Sequence, residues 1–577
     1  MTTQLWKNLQ ELLTMKVIVT VPKQEEKKGF YSPLFLVKKP NGTLRLIINL
    51  RRLNKNIKYK YFKMESVKTA TPLIPPDAQM CTIDLKDAYY HVPIHKNHQK
   101  FLRFAVESPQ GKVCHFQFRA LPFGISSAPR TFTKVMAEVT AFLRKEGISI
   151  IPYLDDLLIV ADSTPTLLNH RDRTIRTLEN LGWIINLQKS HLVPQRETKF
   201  LGVILDSRRQ ASFLPQDKRE SLISSIEKFQ KKKSCSVRST MRLLGRLTAC
   251  LNCVSWSQLH TRTLQAWSLK IWDKNLEHLD FKKVIPLEVK NSLNWWKHQQ
   301  HLEKGILWNP IPVLTIQTDA SSSGWGAVLP DRYLQGSWSP WMRRQSSNLR
   351  ELSAVWETLK RLPKTQVKNI RILSDNVTTV AYLRRQGGTR SSDLMEVTKK
   401  IFSWAENHLE SLIAVFLKGA ENQSADFLSR EKMDPHEWSL NREVFLSLTQ
   451  KWGFPSIDLF ASKKNTQIEV FFSISPKDNP LGLDALSQSW KTNLAYAFPP
   501  FPLISRTLQK IQSSQTTVIL VAPFWPKKPW FPLLLKLAIS GPIFLPCRRD
   551  LLHQGPLLHP DPKFLNLAAW LLKGNCS

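Results

Sequence analysis

Asp155 and Asp156 sit side by side inside an apolar, β-branched run, Ile150-Ile-Pro-Tyr-Leu-Asp-Asp-Leu-Leu-Ile-Val160. Desolvating a carboxylate costs several kcal/mol, so acids seldom enter such a run without a purpose. The economical arrangement is a hairpin with both acids at its tight turn and buried strands on either side. A plain structural turn would explain the pair if it stood alone. A third acid, Asp84, ends another short apolar run, Cys81-Thr-Ile-Asp84, 71 residues before Asp155. Acids at the ends of neighbouring strands can meet across one sheet and hold two divalent cations on oxygen ligands. Such a pair of metals activates a hydroxyl and stabilises the leaving oxygen of an in-line phosphoryl transfer, which is the chemistry of nucleotide polymerisation.

A second acidic set lies downstream. Asp319 follows Ile316-Gln-Thr, Glu351 opens an amphipathic helix in Asn348-Leu-Arg-Glu351, Asp375 closes Ile370-Arg-Ile-Leu-Ser-Asp375, and Asp426 lies in a last helix. Their order predicts β-β-β-α-β-α-β-α over residues 313–430. Four acids converging on one site would repel one another unless metal neutralised them. Two divalent cations there could activate water against a phosphodiester.

The elements that carry these acids fall into four blocks. Residues 1–207 read as short strands with turn signals such as Pro40-Asn41-Gly42 and Pro75-Pro76-Asp77. Residues 208–312 are mostly helical and basic, residues 313–430 alternate strand and helix, and residues 431–577 form a tail. Twelve of the 36 prolines fall between Pro499 and Pro562, which favours short strands and loops there over long helices. Pro455-Ser-Ile-Asp458, Leu494-Ala-Tyr-Ala-Phe-Pro-Pro-Phe501 and Thr517-Val-Ile-Leu-Val-Ala-Pro523 suggest a small doubly wound sheet in the tail.

Composition sets the outer bounds. The chain has 577 residues, 42% of them hydrophobic, enough to bury several cores and to exclude global disorder. Lys and Arg number 82 against 46 Asp and Glu, a net charge of +36 that favours a polyanionic partner, nucleic acid above all. No apolar stretch reaches the ~20 residues of a membrane helix, and the N-terminus lacks the blocks of a signal peptide. An intracellular protein is expected, in cytoplasm or nucleus. Seven cysteines without framework spacing fit a reducing compartment, and Cys250 and Cys253 read as core residues.

The first set resembles the reverse transcriptases. Asp84 with Tyr89, Leu121-Pro-Phe-Gly-Ile-Ser-Ser-Ala-Pro129, Tyr153-Leu-Asp-Asp156, Leu181-Gly-Trp with Lys189, and Phe200-Leu-Gly202 occur in the order of that family's palm motifs. The upstream run Phe35 to Asn54 is similar to its fingers. The resemblance implies a right-hand polymerase, with fingers and palm in residues 1–207 and thumb and connection in 208–312. It implies catalytic, metal-holding roles for Asp84, Asp155 and Asp156, and a triphosphate grip by Lys38, Lys39 and Arg45. Tyr89 would be a steric gate against the ribose 2′-hydroxyl. Phe123 and Gly124 would lie beneath the templating pair, Lys189 would face the nucleotide, and Phe200, Leu201 and Gly202 would grip the primer.

The second set resembles ribonuclease H, which implies that Asp319, Glu351, Asp375 and Asp426 hold its metals. The histidine often found shortly before the last acid of that family is absent; Phe416 and Lys418 occupy the stretch. The tail resembles the adenine-methyltransferase-like domain of DIRS-type retrotransposons, which integrate with a tyrosine recombinase. Phe498 stands where active amino-methyltransferases carry a polar residue before Pro-Pro-aromatic, so an inactive tail is expected. Together these imply an α/β and α+β multidomain chain: an RNA-directed DNA polymerase with ribonuclease H, of a DIRS-type element. Two Mg²⁺ or Mn²⁺ ions per active site are implied. The implied partners are RNA template, DNA primer, RNA–DNA hybrid and deoxynucleoside triphosphates, with a separately encoded recombinase and Gag-like protein. The competing expectation is a decayed or domesticated nucleic-acid binder without catalysis; survival of all seven acids favours the enzyme.

Overall fold

The computed structural model describes residues 2–38, 44–108, 110–272, 279–311, 313–363 and 367–574. They form two compact units, 1–309 and 310–577. Among the described residues no helix is long and apolar enough to cross a membrane.

The first unit is organised on a four-stranded antiparallel sheet in the order Ser149–Tyr153, Asp156–Ala161, Gln79–Asp84, His191–Gln195. Side chains alternate between the faces of a strand, and here both faces are covered. Cys81, Ile83, Ile150, Leu157 and Ile159 pack with Phe132, Met136 and Leu143 of helix Ala128–Lys145. Met80, Ile151, Leu158 and Val160 face the opposite way, toward Leu222, Ile226 and Trp296. That is why Leu157 to Val160 reads as an unbroken apolar run. Upstream, Leu34–Lys38 pairs antiparallel with Leu44–Ile48.

The boundary expected after residue 207 runs through a single sheet. Ala211–Phe213 pairs with Val203–Asp206 on one side and with Ile306–Leu307 on the other. Helices Gln216–Gln230 and Val237–Ala249 share the core beneath it. Cys250 and Cys253 are buried in that core, and burial pushes their thiols up to about 11 and about 12. Such thiols stay protonated and unreactive.

In the second unit, residues 314–430 follow the predicted order. The five-stranded sheet runs Tyr333–Ser337, Gly324–Val328, Leu314–Ala320, Asn369–Ser374, Ser411–Phe416, the first two pairings antiparallel and the last two parallel. Helix Ser347–Leu359 packs on strand Leu314–Ala320, and helix Gln423–Arg430 packs on strand Gly324–Val328. Gly326 makes the second contact possible, because a Cβ there would stand 2.4 Å from Leu428 Cβ and 2.6 Å from the Ala425 carbonyl oxygen.

The tail is a second sheet in the order Leu494–Ala497, Thr517–Pro523, Leu567–Lys573, Ile543–Phe544. Strand Leu567–Lys573 runs antiparallel to both of its neighbours. Asp458 extends the sheet by a parallel bridge to Tyr496. Ile504, Leu508, Leu534 and Leu537 cover one face, while Val444, Phe445 and Leu448 cover the other. Helices therefore cover both faces, as a doubly wound sheet requires, but two of the three strand pairings are antiparallel. Asp458 is 2% exposed and accepts the backbone N–H groups of Gln467 (3.0 Å) and Phe460 (3.4 Å). Phe498 packs against the apolar core rather than offering a polar group.

Candidate active sites

Strand register brings the first acids together. Asp84 is paired directly opposite Asp156 across the sheet, and Tyr153 pairs with Asp156, leaving Leu154 and Asp155 as a two-residue turn. Leu154 has φ +52°, a left-handed conformation that is strained for a branched side chain. Backbone strain of this kind persists only where the surroundings enforce it. Here the flanking buried strands do so, and Asp155 is lifted to the sheet's edge. The Asp155 carbonyl also accepts the Leu85 N–H at 2.9 Å, fixing the turn against the end of the Asp84 strand.

The electrostatics follow from this crowding. Burial, then the charges of Asp155 and Asp84, push the Asp156 carboxyl up to about 6, with Lys189 pulling it back. Asp84 is held from the other side: its Oδ1 accepts from Asn186 Nδ2 at 2.8 Å and lies 3.8 Å from Lys189 Nζ. Its backbone N–H donates to Ser190 Oγ at 2.9 Å. Asn186 and Ser190 hold Asp84 in place, and sequence reasoning passed over both. The signal was their place beside Lys189, in a segment that returns to Asp84 from 100 residues away.

Tyr89 stands against Phe123 and Phe132, with ring centroids 5.0 and 5.4 Å apart. Burial, then the charge of Asp155, raises its hydroxyl above the usual phenol range, which places the ring beside the acidic centre. Gly124 has φ +106°, and its carbonyl accepts from Asn54 Nδ2 at 2.9 Å. Asn54 Oδ1 in turn accepts the Ser126 N–H at 2.9 Å, tying the Leu121–Pro129 loop to the expected fingers. Phe200 is buried in the core, and Leu201 and Gly202 form the left-handed turn of a hairpin. Lys218 Nζ donates to the Gly202 carbonyl at 2.6 Å. Lys39 and the turn at Pro40-Asn41-Gly42 lie outside the described residues, as do the side chains of Lys38 and Arg45, whose backbones lie on the paired strands.

The second set is more tightly drawn. Among the described residues, Asp319, Glu351 and Asp375 bring one carboxylate oxygen each within 4.8 Å of one another. Burial first, then the charges of Asp319 and Asp375, push Glu351 up to about 9. Asp319 is pushed up to about 6 by burial, against a hydrogen bond from Ser429, and burial also raises Asp375. Glu351 Oε2 is buried with no hydrogen-bond partner. Three crowded carboxylates with an orphaned oxygen fit a hard divalent cation, which takes oxygen ligands and removes the repulsion. Asp426, the expected fourth acid, stays at the rim, where its Oδ1 accepts from Arg430 Nε at 2.7 Å. The palm acids form no equally close group of three among the described residues. Gly419 is a position not foreseen from sequence: a Cβ there would lie 3.3 Å from Asp375 Oδ2.

Residues 37–205 match the reverse transcriptase (RNA-dependent DNA polymerase) family. The reverse-transcriptase resemblance is thus borne out over that segment. The chain is 25% identical over 444 residues to the enzymatic polyprotein of Figwort mosaic virus (strain DxS), covering 74% of this chain and 61% of that polyprotein. It is 25% identical over 276 residues to the Transposon Tf2-3 polyprotein of Schizosaccharomyces pombe, covering 45% of this chain and 20% of that one. Among solved structures it is similar to the foamy viral protease-reverse transcriptase in complex with RNA/DNA hybrid, at 16% identity and a TM-score of 0.46, over 76% of this chain and 58% of that one. The same viral protein in complex with dsDNA matches at 17% identity and a TM-score of 0.45, over 72% and 83%.

Proposed function

We propose that this chain is an RNA-directed DNA polymerase with an attached ribonuclease H, encoded by a DIRS-type retroelement. It copies the element's RNA into DNA and degrades the RNA strand of the resulting hybrid. The observation that carries this reading is the register pairing of Asp84 with Asp156, with Asp155 on the strained turn between paired strands, inside the segment that matches the reverse transcriptase family.

Asp84, Asp155 and Asp156 would hold Mg²⁺ or Mn²⁺ in the polymerase, and Asp319, Glu351, Asp375 and Asp426 in the nuclease. When bound, the ions supply a clamp for the attacking and leaving oxygens. The chain's own groups do the rest. Lys38, Lys39 and Arg45 are cations suited to a triphosphate. Lys189 keeps a positive charge beside Asp84 and damps the repulsion that raises Asp156. Tyr89, backed by Phe123 and Phe132, is a wall against a 2′-hydroxyl. Phe200, Leu201 and Gly202 would hold the primer end.

The net charge of +36 supports RNA template, DNA primer and hybrid as partners, bound through phosphate. The matched relatives are a viral enzymatic polyprotein and a transposon polyprotein, and the chain spans 61% of the first, so further activities of the whole polyprotein belong to the same proposal. The proposed partners also include a separately encoded recombinase and a Gag-like protein, and the proposed site of action is intracellular. We read the tail as methyltransferase-shaped and without transferase activity, because Phe498 offers no acceptor to an amine. The testing experiment is primer extension on an RNA template with the purified chain and Mg²⁺ or Mn²⁺. Extension with deoxynucleotides supports the reading. Tight hybrid binding without extension would instead identify a decayed binder.

A further inference from the structure

The hairpin made by Leu552–Gln554 and Leu557–Leu558 belongs to the tail by sequence and pairs there with Ser439–Leu440. It also reaches the acidic centre of the second unit. Gly555, with φ +56°, lies at the hairpin's turn, where a Cβ would stand 2.9 Å from the Phe427 ring. The neighbouring Pro556 carbonyl accepts from Ser424 Oγ at 3.3 Å. Leu558 follows, its carbonyl accepting from Tyr333 Oη at 2.7 Å.

Ser424 and Phe427 flank Asp426 on helix Gln423–Arg430. That helix already rests on Gly326 across its other contact. It is therefore held between its own sheet and the tail. Asp426 needs such help more than its partners do. Its side chain is 44% exposed and its partner Arg430 is 64% exposed, so neither is fixed by burial. Beside them opens a cavity of about 600 Å³ lined by Asp375, Gly419, Asp426, Arg430, Glu431 and Pro556. Two of the four acids and two tail residues, Glu431 and Pro556, thus share one groove. Within the tail, Lys464 forms an ion pair with Glu431 at the groove's rim.

We propose that the tail is a working part of the nuclease. Gly555 and Pro556 act as positioning residues that fix the helix bearing Asp426, and Pro556 forms one wall of the groove that receives the RNA strand of a hybrid. This rests on the reading that residues 313–430 cut such hybrids. Under it the tail is retained for the nuclease, whatever transferase chemistry Phe498 forbids.

The test uses the full chain. Gly555→Asn keeps a residue that tolerates a left-handed backbone but sets a Cβ against Phe427. It should lower kcat for hybrid cleavage and weaken Mg²⁺ or Mn²⁺ binding, read by calorimetry, by about tenfold, the scale expected when support of a metal ligand is disturbed. KM for the hybrid should change less than kcat, and primer extension should be unchanged. Adding Phe427→Leu to Gly555→Asn should restore both quantities. If Gly555→Asn does not fold, Ser424→Ala with Tyr333→Phe removes both hydrogen bonds without any clash and should move the same two quantities in the same direction. Wild-type metal affinity and cleavage in these variants would overturn the hairpin's role alone. A wild-type chain that extends primers but never cleaves hybrid would overturn the nuclease reading beneath it.

Discussion

Asp458 is a carboxyl group with nowhere to put its charge. It is 2% exposed, and among the described residues two backbone N–H groups donate to it while the buried Tyr496 hydroxyl beside it has no hydrogen-bond partner. Burial pushes it up to about 7 from 3.8, the two hydrogen bonds resisting. An unfolded chain releases this proton near its ordinary value, so between about pH 4 and pH 7 the folded tail holds a proton that the unfolded chain has lost. The associated stabilisation is full below pH 4 and disappears as pH rises through 7. The complete shift corresponds to roughly 4 kcal/mol, and the part falling between pH 5 and pH 8 to roughly 2.5 kcal/mol. Asp458→Asn abolishes the titration while keeping one acceptor oxygen. Hydrogen exchange of the Thr517–Pro523 amides, compared between wild type and variant at the same pH, cancels the intrinsic pH dependence of exchange. The protection of the variant relative to wild type should rise by roughly two powers of ten between pH 5 and pH 8. A ratio that stays constant across that range would show that Asp458 does not hold a proton in the folded tail, and the reasoning would fail.

Other consequences can be checked directly. Tyr89→Val should admit ribonucleotides, because the ring backed by Phe123 and Phe132 is removed; incorporation ratios for matched deoxy- and ribonucleotides measure this, and unchanged discrimination would make Tyr89 a packing residue. At neutral pH the metal-free Asp319–Glu351–Asp375 cluster holds a proton on Glu351, which sits at about 9. Mg²⁺ binding should therefore release about one proton at pH 7, seen by calorimetry in buffers of different ionisation enthalpy, with apparent affinity rising about tenfold from pH 7 to 8. Glu351→Gln should remove that release, and a wild type that releases none would contradict the crowded-carboxylate account.

The acids were legible in the sequence because carboxylates stand out in apolar runs, and their strand-end positions follow from those runs. The bare backbone of Gly326 admits helix Gln423–Arg430 closely, a contact the sequence reading did not anticipate. What escaped detection depends on tertiary pairing. Asn186 and Ser190 meet Asp84 only once His191–Gln195 has returned to the sheet, a contact no local pattern announces. Ala211–Phe213 is too short and polar to declare itself a strand, and its pairings join residues on both sides of 207 in one sheet. Asp426 was grouped with Asp319, Glu351 and Asp375 by spacing, yet its helix leaves it at the rim with Arg430. Gly555-Pro556 read as a loop, and nothing in its composition points to Phe427, 128 residues earlier.

The central claim is that two separate acid clusters perform two separate phosphodiester reactions. The most direct measurement assays one pair of variants for both activities. Asp155→Asn should abolish primer extension on RNA while cleavage of the hybrid's RNA strand continues. Asp375→Asn should abolish that cleavage while primer extension continues, because Asp84, Asp155 and Asp156 are untouched. Either variant retaining its assigned activity within a few-fold of wild type, or losing only the other one, would contradict the account.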